Sequence, residues 1–264
     1  MLYQGVLTKM EAEPTATINY FLHFGEEFIK LNDCLGKTLR FTHLGYHCLS
    51  CGDDAPIFKQ GFCKKCFFES AKAGSWIMKP EESKAHLGIA DRDLDYERRM
   101  QLQPHIVYLS NTGAIKVGVT RKNQVPTRWI DQGAHQAMAV LEVPNRYLAG
   151  VAEVALKQHI SDKTQWKAML SQEEKPRDLL QQFQALKDYL PAEVKPYIIG
   201  APMLEEFNFP YTPTGTLGGR LSLSTEQPLS GVLKGIKGQY LIFEDLSVIN
   251  LRSYEGYVVG LDVY

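Results

Sequence analysis

The chain has 264 residues, of which 44% are apolar and 22% are charged, and its formal net charge at neutral pH is −1. These values are typical of a soluble globular protein, and the length allows one large domain or two to three small ones. No apolar run reaches the roughly 20 residues of a membrane span, and the first residues lack the pattern of a secretory signal peptide. We therefore expect a cytoplasmic protein without a membrane partner.

The N-terminal third predicts strands, a cysteine-bearing segment and a connector. Residues 1–45 contain short β-branched and aromatic runs with partial alternation, which favour strands. Residues 46–70, called the ribbon below, hold four of the five cysteines. Residues 71–104 are polar, and we expect them to connect the ribbon to a boundary at Pro104 with helix only in patches.

The four cysteines of the ribbon form two CxxC pairs, Cys48–Cys51 and Cys63–Cys66, with eleven residues between the pairs. Four thiolates at this spacing can surround one ion tetrahedrally, as a structural zinc requires. The alternative is four free or disulfide-bonded cysteines, but a disulfide framework rarely confines its cysteines to so short a part of a long chain. Gly52 and Gly61 lie where tight turns are needed. The sequence therefore predicts structural zinc on these four cysteines and no role in the zinc site for Cys34.

Residues 105–200 predict a ββαβα core with a following helix. Asn111-Thr-Gly113 is a hairpin signal, Pro126 suits a first helical turn, and Asn145 is a helix N-cap. The predicted elements are strands over residues 106–110, 114–120 and 137–143, and helices over residues 126–133, 145–160 and 173–190.

Residues 210–264 predict a β-rich C-terminal segment, with strands over residues 231–236, 239–243 and 257–261. Because both ends of the chain are β-rich, we expect them to pair into one small barrel or sandwich. The expected fold class is α+β.

Charge is uneven along the chain. From His105 to Leu170 there are eight lysines and arginines against four acids, a net charge of +4, whereas residues 171–264 carry eight against twelve, or −4. A locally basic middle points weakly to a phosphate-bearing partner. The chain has no P-loop, no GxGxxG after a strand, no GxSxG and no HExxH, which excludes the commonest NTPase, dehydrogenase, hydrolase and metalloprotease classes.

Two tripeptides on the predicted hairpin, Ile106-Val-Tyr108 and Lys116-Val-Gly118, are followed by Arg128 on a short helix and Glu153 on a long one. In this order and spacing the segment resembles the GIY-YIG nuclease superfamily, so the expected fold becomes a GIY-YIG-like core with a zinc ribbon between β-rich segments. The resemblance covers about a quarter of the chain. It implies a site of Tyr108, Lys116, Arg128 and Glu153, in which Glu153 binds magnesium or manganese.

The chain departs from that superfamily in three ways. Lys116 replaces the tyrosine of the second tripeptide, only seven residues separate the two motifs, and residues 161–166 lack the expected asparagine. These departures leave cleavage less certain than fold. Residues 30–170 also resemble a bacterial family of unknown function, which brings no activity with it.

The chemistry of hydrolysis is consistent with these residue types. Arg128 could form a fork onto a phosphate, and Tyr108, flanked by Lys116 or Arg121, could act as a base or proton relay if those cations lower its pKa. Each residue also has a structural interpretation. The tyrosine could pack in the core, Arg128 could lie on the surface, and Glu153, about 140° around the helix from Leu148, could pair with Lys157.

The sequence therefore favours a protein that binds nucleic acid, DNA or RNA, with contacts from Arg121, Lys122 and Arg128, and it leaves open whether that protein is also a metal-dependent endonuclease. The alternative is a non-catalytic module that recognises nucleic acid or a protein partner.

Overall fold

The structure is a computed structural model that describes residues 2–160, 166–171, 175–212, 214–223 and 227–264. It is a mixed α and β fold, as the sequence predicts. The described strands are β1 Leu2–Val6, β2 Glu11–Glu13, β3 Asn19–Phe24, β4 Glu27–Lys30, β5 Thr38–Tyr46, β6 Ile57–Lys59, β7 Phe62–Cys63, β8 His105–Asn111, β9 Ile115–Arg121, β10 Gln136–Val143, β11 Leu204–Glu206, β12 Leu229–Lys237, β13 Tyr240–Phe243, β14 Val248–Asn250 and β15 Tyr257–Val263. The described helices are α1 Lys64–Glu69, α2 Leu94–Gln101, α3 Thr127–Asp131, α4 Arg146–Lys157, α5 Trp166–Ser171 and α6 Leu179–Leu186.

The chain forms two compact units. Unit 1 combines Met1–Lys72 with Asn208–Tyr264, and unit 2 is Ala73–Phe207. Unit 1 is therefore discontinuous in sequence, and unit 2 is one continuous stretch.

Unit 1 is built on a six-stranded antiparallel sheet in the order β1-β15-β5-β12-β13-β14. The strands from the two ends of the chain thus pair in one sheet, as the β-rich ends predict. Strands β2, β3 and β4 form a second, three-stranded sheet, and β6 and β7 form the hairpin of the ribbon. On β3 the alternation predicted from the sequence appears as burial of Tyr20, Leu22 and Phe24 beside half-exposed neighbours.

Unit 2 is built on a four-stranded antiparallel sheet in the order β11-β10-β8-β9. Apolar side chains of β8, β9 and β10 pack against α4 and α6 in one core that includes Val107, Leu109, Ala152, Leu156 and Phe183. Burying residues of this size contributes roughly 1.5–3 kcal/mol per large side chain.

Local signals of the sequence appear where they were predicted. The β8–β9 hairpin turns at residues 112–114, where Gly113 has φ +90° and its N–H donates to Asn111 Oδ1 at 3.2 Å. Helix α4 begins after Asn145, whose Oδ1 accepts the N–H of Leu148 at 2.9 Å. Such a cap satisfies one of the N–H groups that the first helical turn leaves without a partner.

Two predictions for this unit were wrong in detail. The helix predicted over residues 173–190 begins only at Leu179, because Pro176 precedes it and Asp178 caps it by accepting the N–H of Gln181 at 2.8 Å. Residues 172–174 lie outside the described residues. Strand β11 was not predicted, since its sequence Leu-Glu-Glu is exposed and carries no alternation.

Candidate functional site

The four cysteines of the ribbon converge in unit 1. Cys48 follows β5, Cys63 ends β7 and Cys66 lies in α1, and the four sulfur atoms, including that of Cys51, all lie within 4.8 Å of one another. A tetrahedral zinc with Zn–S bonds of about 2.3 Å needs sulfur atoms roughly 3.8 Å apart, and the Sγ atoms of Cys51 and Cys63 are 4.0 Å apart. The cysteines are therefore positioned to hold a metal ion such as zinc.

The backbone N–H groups around Cys48 favour the thiolate of that residue. Burial opposes the charge on Cys48, but N–H groups of Cys51, Cys63 and Ser50 outweigh it and lower the pKa of Cys48 to about 6. One of these bonds runs from Cys63 N to Cys48 Sγ at 3.3 Å. The predicted turn glycine Gly61 has φ +77°, and an added Cβ would lie 2.4 Å from Leu49 Cδ1, so the hairpin requires glycine there.

A second group of polar residues lies in unit 2, around Tyr108 of β8. Tyr108 is 1% exposed, and its ring crosses Gly118, the residue opposite it on β9. The hydroxyl donates a hydrogen bond to Gln132 Oε1 at 2.8 Å, and the ring meets Trp129 edge-on with centroids 5.7 Å apart. Gly118 thus gives the tyrosine ring room to reach past β9.

Arg128 is the cation beside this hydroxyl. Burial raises the pKa of Tyr108, the Arg128 guanidinium lowers it by its charge and as a hydrogen-bond partner, and the charge of Glu153 raises it further. Burial dominates, and Arg128 is the cation that opposes it, so the lowered pKa that Tyr108 would need to act as a base is not found. A tyrosine in this state keeps its proton at neutral pH.

Glu153 lies on α4, 7% exposed, with Lys157 Nζ 3.3 Å from its Oε1. Burial raises the pKa of Glu153, while the charges of Lys157 and Arg146 lower it and that of Glu81 raises it. The pairing with Lys157 that the sequence allowed is thus present. In the described part of the chain, the four cysteines are the cluster of three or more His, Cys, Asp or Glu side chains that could hold a metal ion. Among the described residues, Glu153 does not belong to a cluster of that kind.

Arg146, at the start of α4, joins the same group. Its Nε donates to Trp76 O at 2.9 Å and its Nη2 to Ile77 O at 2.8 Å. Burial lowers the pKa of Arg146 to about 10, the charge of Glu153 raises it, and the charge of Arg128 lowers it. Three arginines, at positions 121, 128 and 146, therefore lie in the same region as the two carboxylates Glu153 and Glu81.

The segment before α2 covers the same side of α4. A Cβ added to Gly150 would lie 2.1 Å from Glu81 N, so the short helical turn at Pro80–Glu82 packs directly on the helix backbone. This packing contributes to the burial of Glu153, one turn further along α4.

The family of the chain follows from a comparison with known proteins. A family model described as "Protein of unknown function (DUF2797)" matches residues 36–259. The chain belongs to this family. The resemblance to a family of unknown function is thereby confirmed, and the GIY-YIG resemblance stays a hypothesis. No match to this DUF2797 protein was found among curated proteins or solved structures.

The other predicted contact residues of this DUF2797 protein lie around the rim of the same sheet. Lys116 is half-buried opposite Ser110. Arg121 donates from Nε to Gln124 Oε1 at 3.3 Å, and its charge acts on Arg146. Lys122 Nζ lies 2.7 Å from Glu142 Oε1. Arg128 and Glu153 thus both act on the Tyr108 hydroxyl, whereas Lys116 lies opposite Ser110 and Lys122 pairs with Glu142.

Two members of the group were missed in the sequence. Gln132 lies one turn after Arg128, and Arg146 lies seven residues, or two turns, before Glu153 on the same helix face. That helical spacing was the available signal. In the described part of the DUF2797 protein, no helix is both long and apolar enough to cross a membrane.

Proposed function

We propose that this DUF2797 protein binds nucleic acid and holds a backbone phosphate at the group formed by Tyr108, Arg128 and Arg146. The observation that carries the proposal is that Arg128 and Glu153 both lie close enough to the Tyr108 hydroxyl for their charges to act on it. These are the residues that the GIY-YIG resemblance implies. A guanidinium suits a phosphate because its planar fork can donate two parallel hydrogen bonds.

The electrostatics support an anionic ligand. The charges of Arg128 and Arg121 act on Arg146, with Glu153 and Glu81 as the opposing carboxylates, and Lys157 pairs with Glu153. This agrees with the net charge of +4 counted for residues 105–170, and binding through such a surface releases counterions from the nucleic acid.

Phosphodiester cleavage is the activity that this constellation would provide. A water oxygen forms the new bond to phosphorus, the bond to the leaving oxygen breaks, and the proton that the water loses balances the one that the leaving oxygen gains. Arg128 stabilises the charge on the phosphate. The Tyr108 hydroxyl donates to Gln132 and is a hydrogen-bond partner of Arg128, so it would hold the guanidinium in place against the phosphate.

A divalent ion at Glu153, magnesium or manganese, would neutralise further charge. Magnesium is often bound by one or two carboxylates, with water in its other positions. The carboxylate of Glu153 would therefore be enough to bind the ion once Lys157 moves away.

A second candidate function is a non-catalytic module that recognises nucleic acid or a protein partner. One observation favours it: Lys157 Nζ lies 3.3 Å from Glu153 Oε1, where it pairs with the carboxylate that a metal ion would need. An ammonium in that position supplies positive charge without supporting metal chemistry.

Binding is tested with labelled DNA and RNA at two salt concentrations. Arg128→Ala should weaken binding and reduce the slope of log affinity against log salt by about 1. Arg98→Ala is the matched control, since Arg98 is 51% exposed on α2 in the same unit. Affinity that ignores salt and Arg128→Ala would contradict the phosphate site.

Cleavage is tested on single- and double-stranded substrates with magnesium or manganese. Glu153→Gln should abolish cleavage and leave binding nearly intact, because it keeps the shape and removes the anionic charge. Tyr108→Phe should slow cleavage substantially. Full activity in Glu153→Gln would reject the metal role, and an inactive parent that still binds would favour the non-catalytic module.

A further inference from the structure

The ribbon presents three phenylalanine rings that contact one another at its surface. Phe58 lies on β6, and Phe67 and Phe68 lie on α1. The ring centroids are 5.3 Å apart for Phe58–Phe67, 5.3 Å for Phe67–Phe68 and 5.8 Å for Phe58–Phe68. Phe58 is 43% exposed and Phe68 is 57% exposed. An exposed aromatic cluster on a small, cysteine-braced segment is a common mark of an interaction surface.

Three exposed lysines surround this phenylalanine cluster. Lys59 Nζ lies 5.3 Å from the Phe58 centroid and 5.7 Å from the Phe67 centroid. Lys64 and Lys65 are exposed in the first turn of α1, and residues three and four apart on a helix are neighbours. Lys64 therefore neighbours both Phe67 and Phe68, and Lys65 neighbours Phe68.

Acidic residues of the ribbon are placed differently. Glu69 is at the end of α1, one turn after Lys65, and Asp53 and Asp54 lie in the segment between Cys51 and β6. On α1, Lys64 thus has no acid one turn after it, and Lys59 on β6 lies over the rings of Phe58 and Phe67.

We propose that this surface binds single-stranded nucleic acid, with unpaired bases stacked on Phe58 and Phe68 and the backbone phosphates on the lysines. This proposal rests on the proposed function, which supplies the class of ligand. It adds that the nucleic acid is single-stranded and that the ribbon is a second contact surface. Stacking is available to single strands because a duplex keeps its base faces covered. The rings of Phe58 and Phe68 are inclined to each other by only 35°, with their centroids 5.8 Å apart, so their exposed faces can take successive bases. Phe67 lies at 66° to Phe58 and at 84° to Phe68.

The cysteines give this surface its rigidity. Cys66 directly precedes Phe67 in the chain, and Phe58 lies on the strand that pairs with Phe62–Cys63. A metal held by the cysteines would fix the hairpin and α1 together, so that the rings are positioned before the ligand arrives.

The test uses the full-length, zinc-loaded protein and labelled oligo(dT) and oligo(U). Phe58→Ala and Phe68→Ala should each weaken binding about fivefold to a hundredfold, the usual range for one base–aromatic stack. Phe68→Trp should retain affinity, because it keeps an aromatic face. Phe28→Ala is the control, since Phe28 is also 57% exposed but lies on β4. One equivalent of zinc in each variant shows that the ribbon has folded, and Phe68→Ala carries the test if Phe58→Ala loses its zinc.

The lysines are tested by salt. Replacing Lys59, Lys64 and Lys65 with alanine should reduce the slope of log affinity against log salt by about 2, because each phosphate contact on a single strand contributes roughly 0.7. An unchanged slope would overturn the assignment of phosphates to these lysines.

The outcomes separate the two proposals. Unchanged affinity in Phe58→Ala and Phe68→Ala, with a loss in Arg128→Ala, would overturn the ribbon surface and leave the proposed function standing. A loss in the phenylalanine variants with no effect of Arg128→Ala would support the ribbon surface and move the nucleic-acid site away from Tyr108. A parent that binds neither oligonucleotide would overturn both, and equal affinity for a duplex would overturn the preference for single strands.

Discussion

Gly118→Ala should destabilise unit 2 because the tyrosine ring occupies the space that a methyl group would need. A Cβ at position 118 would lie 2.6 Å from both Cζ and the hydroxyl oxygen of Tyr108 and 3.1 Å from its Cε2. Ordinary contacts between carbon atoms are about 3.5–4.0 Å, so the ring would have to move by roughly 1 Å. Tyr108 is 1% exposed and has little free space around it.

The size of the effect follows from two costs. Overpacking a filled core costs about 1–3 kcal/mol. Moving the ring also breaks the 2.8 Å bond from the Tyr108 hydroxyl to Gln132, and a buried hydroxyl left without a partner costs about 1–3 kcal/mol. We therefore expect a loss of about 2–6 kcal/mol in the free energy of unfolding, which is a large share of the stability of an ordinary domain.

Urea unfolding followed by tryptophan fluorescence measures this loss selectively. All three tryptophans, at positions 76, 129 and 166, belong to unit 2. Gly200→Ala is the control, since an added Cβ there has no atom within 4 Å and the backbone is not left-handed. In a Tyr108→Leu background, Gly118→Ala should cost less than about 1 kcal/mol. An equal cost in both backgrounds, or no cost in the parent, would refute the explanation.

Two further predictions concern the cysteines and a buried histidine. Metal analysis should find one equivalent of zinc per chain in the parent and none in Cys51→Ser or Cys63→Ser. Cys34→Ser should keep its zinc, because Cys34 lies outside the cluster. Full zinc content in the first two variants would contradict the metal centre. Burial lowers the pKa of His105 to about 4, with the charges of Arg146 and Arg121 adding to the effect, so the unfolded chain takes up the proton first as the pH falls. Unit 2 should therefore lose about 3 kcal/mol of its free energy of unfolding between pH 6.5 and pH 4. The His105→Leu variant should not show this loss. If urea unfolding gives parallel pH profiles for the parent and the variant, the prediction is wrong.

The elements that the sequence predicted well are those with strong local signals. The β8–β9 hairpin has a glycine turn between two apolar runs, and α4 has an asparagine cap followed by an apolar stripe. The cysteine cluster was predictable because ligand spacing alone restricts what two CxxC pairs can do. In each case the information lies within about twenty residues of sequence.

The parts that were missed depend on contacts between distant residues. The hydroxyl of Tyr108 bonds to Gln132, and Arg146 bonds to carbonyls of residues 76 and 77, about 70 positions away. The raised pKa of Tyr108 depends on such contacts too, because burial is a property of the folded unit. The sequence named Gly118 through a motif, but only the structure shows that the tyrosine ring requires it.

The strand order of unit 1 has a consequence for how the chain folds during synthesis. Strand β15 lies between β1 and β5, yet it leaves the ribosome roughly 200 residues after β5, which is about 10–40 s at ordinary elongation rates. All of Ala73–Phe207 is made during that delay, so unit 2 can complete its fold first. Strands β1 and β5 must meanwhile stay unpaired without aggregating. A strand that is made about 200 residues after β5 thus joins β1 and β5 into one sheet.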